Sequence, residues 1–198
     1  MTVSGVEDRE SRAALRPTRL LIVGMMGAGK TTVASLVAER LGWSVFDSDV
    51  QVEARSGRSV AELFTAAGET GFRTLESEVL REALSPLAPP AVVAIAGGAV
   101  LDARNRRLIR DGGTVVWLRA RPQTLAVRVG DGSGRPLLGV DPERSLVDLE
   151  AVRRPLYEEG ADAVIDVDDL LPSEVADRVV RIVEESPSGE SPRGERLS

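Results

Sequence analysis

Cysteine and histidine are both absent from the 198 residues. The first absence excludes a disulfide framework, thiolate catalysis and Cys-ligated zinc. The second removes the commonest metal ligand and the commonest general base at neutral pH. Proton transfer therefore falls to a carboxylate, a lysine, the single tyrosine (Tyr157) or water. No apolar run approaches the roughly 18 to 20 residues that cross a bilayer. The first ten residues carry Glu7, Asp8 and Glu10 in place of a basic segment followed by an apolar one. No membrane span or export signal is expected, and a cytoplasmic location is. Net positive charge is lacking too: 25 basic residues stand against 31 acidic ones, a balance of −6 that disfavours nucleic acid as a partner. Lysine is nearly missing, since every basic residue except Lys30 is arginine. A chain that uses arginine everywhere else needs a reason for that one lysine.

The apolar fraction of 42% suffices for one core and one domain. Residues 1–18 and 186–198 are polar and charged, the second also rich in Pro, Gly and Ser, and are expected to be disordered tails around a folded unit at 19–185. Within that unit, short apolar runs that read as fully buried strands recur at Leu20 to Val23, Val45 with Phe46, Val92 to Ile95, Thr114 to Leu118 and Ala163 to Val167. Helical spacing follows each run, the pattern of a parallel sheet with crossover helices. Gly42 is placed to stop the first helix. Ser59 to Glu62 reads as a capping box for a short helix over Val60 to Ala67 that ends at Gly68. Pro122 suits the first turn of another helix, Leu146, Leu149 and Val152 mark a further one, and Val175, Val179, Ile182 and Val183 the last.

Gly24-Met25-Met26-Gly27-Ala28-Gly29-Lys30-Thr31 follows the first apolar run and precedes an amphipathic helix, the context that a G-x-x-x-x-G-K-[ST] phosphate loop requires. Its glycines let backbone N–H groups turn inward around a polyphosphate, and the helix N-terminus adds partial positive charge. Lys30 would reach the β and γ phosphates, and the Thr31 hydroxyl would hold Mg²⁺. Just past the second strand, Asp47 and Asp49 face the same end of the sheet if the chain is still extended there. The third strand runs into Ala96-Gly97-Gly98 without a terminal aspartate, so Asp47 is the natural second magnesium ligand. Asp49 is then free to accept a proton from an acceptor hydroxyl. The plainer reading is that Asp49 caps a helix starting at Val50.

These strings resemble the shikimate kinase family. The likeness is carried by Phe46-Asp47-Ser48-Asp49, Gly57-Arg58-Ser59-Val60 with Glu62-Leu63-Phe64, Gly71 to Glu76, Gly97 to Val100, Arg135 to Leu138, and Arg153 to Tyr157, in that order from about Arg19 to Glu185. It implies an α/β, three-layer P-loop NTPase fold: a five-stranded parallel sheet flanked by helices, with a mobile lid at about 130–139. It also implies ATP-dependent phosphorylation of the 3-hydroxyl of shikimate, with Mg²⁺ as cofactor, in a chain acting as a monomer without nucleic acid or membrane. By the same likeness Lys30, Asp49 and Arg135 are catalytic. Gly27, Ala28, Gly29, Lys30, Thr31, Thr32, Arg128, Arg135 and Pro172 bind nucleotide, with Arg128 and Pro172 on either side of adenine. Asp49, Arg73, Gly97, Gly98 and Arg153 bind shikimate, Glu76 holds Arg73, and Thr31 with Asp47 binds the metal.

The residue chemistry fits these roles. Arginine offers a carboxylate two parallel N–H donors where lysine offers a point charge, although Arg73 with Glu76 also reads as an ordinary surface i, i+3 pair. Gly130, Gly132 and Gly134 suit a segment that closes over a site. Where the family has three glycines after the third strand, this chain has Ala96. A methyl there is harmless in strand geometry and costs about 1 kcal/mol if φ is positive. Two alternatives remain at this level: a related kinase for another hydroxylated acid such as gluconate, and a nucleotide-binding protein with weakened catalysis.

Overall fold

The computed structural model describes residues 19–85, 89–132 and 134–185. The expected tails at 1–18 and 186–198 lie outside the described residues. The apolar runs form five parallel strands: β1 (Arg19–Val23), β2 (Ser44–Asp47), β3 (Ala91–Ala94), β4 (Thr114–Arg119) and β5 (Ala163–Asp166). Their order across the sheet is β2-β3-β1-β4-β5. Strands β1 after Arg19, β3 and the inner residues of β4 are covered on both faces by helices, which is why they read as apolar runs of Val, Ile, Leu and Ala with Trp117.

The outermost strands depart from the expectation of full burial. Val45 in β2 is 43% exposed and Val164 in β5 is 45% exposed. Each lies at an end of the strand order, where one side has no neighbouring strand. Apolar runs do not distinguish an edge strand from a central one.

The helices are α1 (Lys30–Leu41), α2 (Ser48–Ser56), α3 (Val60–Ala83), α4 (Ala103–Gly112), α5 (Pro122–Val129), α6 (Pro142–Gly160) and α7 (Pro172–Glu185). Single 3₁₀ turns lie at Ala99–Leu101 and Pro136–Leu138. Gly42 ends α1 in the left-handed region as expected. Helix α3 is broken at Gly68, whose φ of 67° and ψ of 179° are non-helical, so its first part stops where the sequence marks a stop. The expected inward set Leu146, Leu149 and Val152 is only partly correct, because Val152 is 59% exposed. The inner face of α6 runs instead through Leu146, Arg153 and Tyr157. Residues seven apart complete about two turns, whereas six apart fall about a third of a turn short. Helix α4, with a strongly polar outer face, is not marked by the apolar spacing.

Strand β1 is central, and the chain leaves it on one side toward β3 and β2 and later on the other toward β4 and β5. The crevice past its carboxyl end is therefore where a ligand is received in an open α/β sheet. Among the described residues no helix is long and apolar enough to cross a membrane.

The link between α2 and α3 is held by reciprocal bonds. The Ser59 hydroxyl accepts from the Glu62 N–H at 3.3 Å, the Ser59 N–H donates to Glu62 at 2.8 Å, and the Val60 N–H donates to Glu53 at 2.9 Å. Loss of such a cap costs about 1 kcal/mol. Ser59→Ala is expected to lower the stability measured in urea by about that amount; an unchanged midpoint would show that Glu53 and Glu62 hold the turn alone.

Candidate active site

Helix α1 begins directly after Gly29, which stands at the N-cap with φ of 89° and provides no side-chain cap. No acidic residue lies in its first turn. The backbone donors and partial positive charge at this helix end are thus left for an external anion. The Lys30 ammonium donates to the Met25 carbonyl at 3.1 Å. Burial lowers its pKa from the usual lysine value, while Asp49 and Asp47 oppose that shift. The Thr31 hydroxyl donates to Asp47 Oδ2 at 2.5 Å, so the two candidate metal ligands are already in contact.

Asp47 closes β2 and is also the N-cap of α2: its Oδ1 accepts from the N–H groups of Asp49 at 3.0 Å and Val50 at 3.3 Å. The helix starts at Ser48, so the chain is not extended across the pair and the capping role belongs to Asp47 rather than Asp49. Asp49 is left with its carboxylate in the cavity. Desolvation raises its pKa above the usual aspartate value, with Asp47 adding to the shift and Lys30 opposing it. Ser48, between them, is buried and accepts from the Ala96 N–H at 2.8 Å, tying the start of α2 to the turn after β3. Among the described residues no non-glycine residue has positive φ. Ala96 therefore carries its methyl without backbone strain.

Arg73 and Glu76 do pair, but not as a solvated surface couple. Glu76 is 1% exposed and accepts from one Arg73 nitrogen at 2.9 and 3.0 Å, while Glu69 accepts at 3.2 Å from another. Arg73 lies so close to Gly98 that any side chain at 98 would collide with its guanidinium. Arg153 is 2% exposed. Among the described residues it forms no ion pair, and its Nε has no hydrogen-bond partner. Burial lowers its pKa from the usual arginine value. A buried guanidinium of this kind is stable when an anion from outside completes it.

These groups meet around one cavity of about 450 Å³. Gly27, Gly29, Lys30, Thr31, Thr32, Asp47, Asp49, Arg73, Gly97, Gly98, Arg128, Arg135 and Arg153 all line it. Two expected nucleotide contacts do not. Ala28 is 3% exposed, with its N–H donating to the Met25 carbonyl at 3.2 Å inside the turn. Pro172 is the first residue of α7, and Arg128, which does line the cavity, donates to the carbonyls of Val167 at 2.7 Å and Asp168 at 3.3 Å, just upstream of it. The structure adds an apolar wall of Val60, Phe64 and Phe72 and, beside Arg135, Pro136 and Leu137. Helical spacing marks Phe72 as a core residue, and it is one; nothing in that spacing shows that its cluster borders a cavity.

Glu76 gives a testable sign. Burial pushes its pKa from 4.5 up to about 7. A carboxyl whose pKa is raised on folding stabilises the fold relatively at low pH, and that contribution is lost as pH rises from 4.5 to about 7. The melting temperature of Glu76→Gln is expected to gain on that of the parent across this interval and to hold a constant gap above it. A gap that does not change with pH would refute the burial-driven shift.

The shikimate kinase family profile matches residues 26–184. A shikimate kinase from Streptomyces coelicolor is 42% identical over 165 residues, covering 83% of this chain and 95% of that protein. One from Symbiobacterium thermophilum is 47% identical over 152 residues, covering 75% and 86%. The structure of a shikimate kinase from Acinetobacter baumannii in complex with shikimate superimposes with a TM-score of 0.82 at 36% identity, covering 88% of this chain and 97% of that one. The profile, the sequence relatives and the fold converge: this chain belongs to the shikimate kinase family.

Proposed function

We propose that the protein transfers the γ-phosphoryl group of ATP to the 3-hydroxyl of shikimate, giving shikimate 3-phosphate and ADP, in the pathway to chorismate and the aromatic amino acids. The observation that carries this is Arg153, a buried guanidinium with no ion pair among the described residues, in the same cavity as the phosphate loop. A ligand that supplies both a carboxylate and a hydroxyl satisfies Arg153 and Arg73 at one end and Asp49 at the other. The apolar wall of Val60, Phe64 and Phe72 suits the carbon face of a six-membered ring.

In this reading Gly27, Gly29, Lys30, Thr31 and Thr32 take the triphosphate, and Arg128 flanks the base. Thr31 and Asp47 would hold Mg²⁺, since an oxygen-only pair of one hydroxyl and one carboxylate suits a hard cation. When bound, the ion neutralises charge on the transferring phosphate. Asp49 accepts the proton of the attacking hydroxyl as its oxygen bonds to the γ-phosphorus and the bond to the ADP oxygen breaks. Desolvation makes Asp49 a stronger base than a solvated aspartate. Arg135 and the glycines around it form a lid, at about 130–139, that brings a further positive charge and excludes water. The working unit is 19–185, and one chain contains every group named, which supports a monomer. Cytoplasmic location, and action without nucleic acid or membrane, complete the reading. The case for a chain without catalysis rested on Ala96, whose backbone carries no positive φ.

ADP release measured by a coupled assay is expected to depend on shikimate and not on gluconate; shikimate-independent ADP release would defeat the assignment. Lys30→Met is expected to abolish turnover, and Asp49→Asn to remove most of the rate while nucleotide binding persists. Near-normal turnover by Asp49→Asn would end its role as base. Arg73→Ala and Arg153→Ala each lose a charge-assisted bond of roughly 1.5 to 3 kcal/mol, so the shikimate KM is expected to rise about 10- to 150-fold. An unchanged KM would break the clamp.

A further inference from the structure

Tyr157 is 1% exposed and does not line the cavity. It lies one helical turn beyond Arg153 on the inner face of α6. Its hydroxyl donates to the Gly97 carbonyl at 2.6 Å. The same oxygen is 3.9 Å from the Met25 sulfur, which is 4.0 Å from the Arg153 guanidinium. Its ring stacks on Trp117 of β4 with centroids 5.6 Å apart. One side chain thus joins α6, the phosphate loop and the turn after β3, and rests on the sheet.

The Gly97 carbonyl belongs to the peptide that also carries the Gly98 N–H. Among the described residues no peptide is cis. In a planar trans peptide the N–H points opposite to the carbonyl, so fixing one fixes the other. Glycine places few limits of its own on that plane. Nor can position 97 be stiffened with a side chain, since a Cβ there would sit 2.9 Å from the Gly24 carbonyl oxygen and 3.2 Å from the phenol oxygen. The Ala99 N–H closes the turn onto the Ala96 carbonyl at 3.0 Å, and the phenol is the side chain bonded to the peptide at its centre.

We propose that Tyr157 is a positioning residue for acceptor binding: its hydroxyl holds the Gly97–Gly98 peptide and, with the Met25 sulfur, flanks the Arg153 guanidinium, so that both are aligned before the acid substrate arrives. The inference rests on shikimate being that acid. Tyr157→Phe keeps the ring and deletes the bond to Gly97. We expect the shikimate KM to rise about three- to tenfold, the scale of one hydrogen bond, with the ATP KM within about twofold. A purely structural role would lower the melting temperature and leave the shikimate KM unchanged, and that result overturns the proposal. Should the variant not fold, the parent chain still provides a test. Tyr157 is the only tyrosine, so 3-fluorotyrosine labels it alone. Its fluorine resonance is expected to move when shikimate is added without nucleotide; a resonance that stays put refutes the coupling. A parent enzyme inactive on shikimate would instead refute the proposed function, so the two failures are distinct.

Discussion

Arg153 holds a full positive charge at 2% exposure, and among the described residues no carboxylate pairs with it. Removing a guanidinium from water without an anion costs several kcal/mol, far more than packing a neutral chain of similar volume into the same place. The fold tolerates this because the charge faces a cavity in which other charges are arranged around it. Lys30 approaches from α1, Arg73 from α3 and Arg135 from the segment after α5, with Asp47 and Asp49 beside Lys30. In the proposed reading the cavity receives an anionic ligand at two points, one at the phosphate loop and one at the two arginines.

The rest of the structure keeps those two points at a set separation. Strand β1 delivers the phosphate loop at the centre of the sheet, and β2 and β3 end beside it. The Ser48 hydroxyl accepts from the Ala96 N–H, which ties the strand end that carries the aspartates to the turn that carries the glycines. Asp47 does two jobs through its two oxygens, capping α2 with one and contacting Thr31 with the other. Glu76, buried beside Arg73, aims that guanidinium and is the one buried carboxylate among the described residues. Charge that would be a surface ornament on an ordinary helix becomes a directional device once its partner is desolvated.

Much of this was legible from residue order. The phosphate loop, both aspartates, the capping box at Ser59 and the break at Gly68 are local features, set by dihedral limits and neighbours a few residues away, and the structure shows the capping box and the break where the sequence marks them. Other features were misread for identifiable reasons. Val45 and Val164 are as apolar as the central strands but lie at the edges, which depends on strand order. Val152 points outward because α6 turns by its own period.

Local chemistry along the chain therefore determined which segments are strands and helices, where a polyphosphate can be wrapped, and which side chains carry usable charge. Only the tertiary structure decided that Arg153 is buried without a pair, that Ala96 is unstrained, and that Tyr157 bonds to Gly97 sixty residues away. Desolvation and directional bonding depend on what surrounds a group in three dimensions, and those surroundings come from segments far apart in sequence.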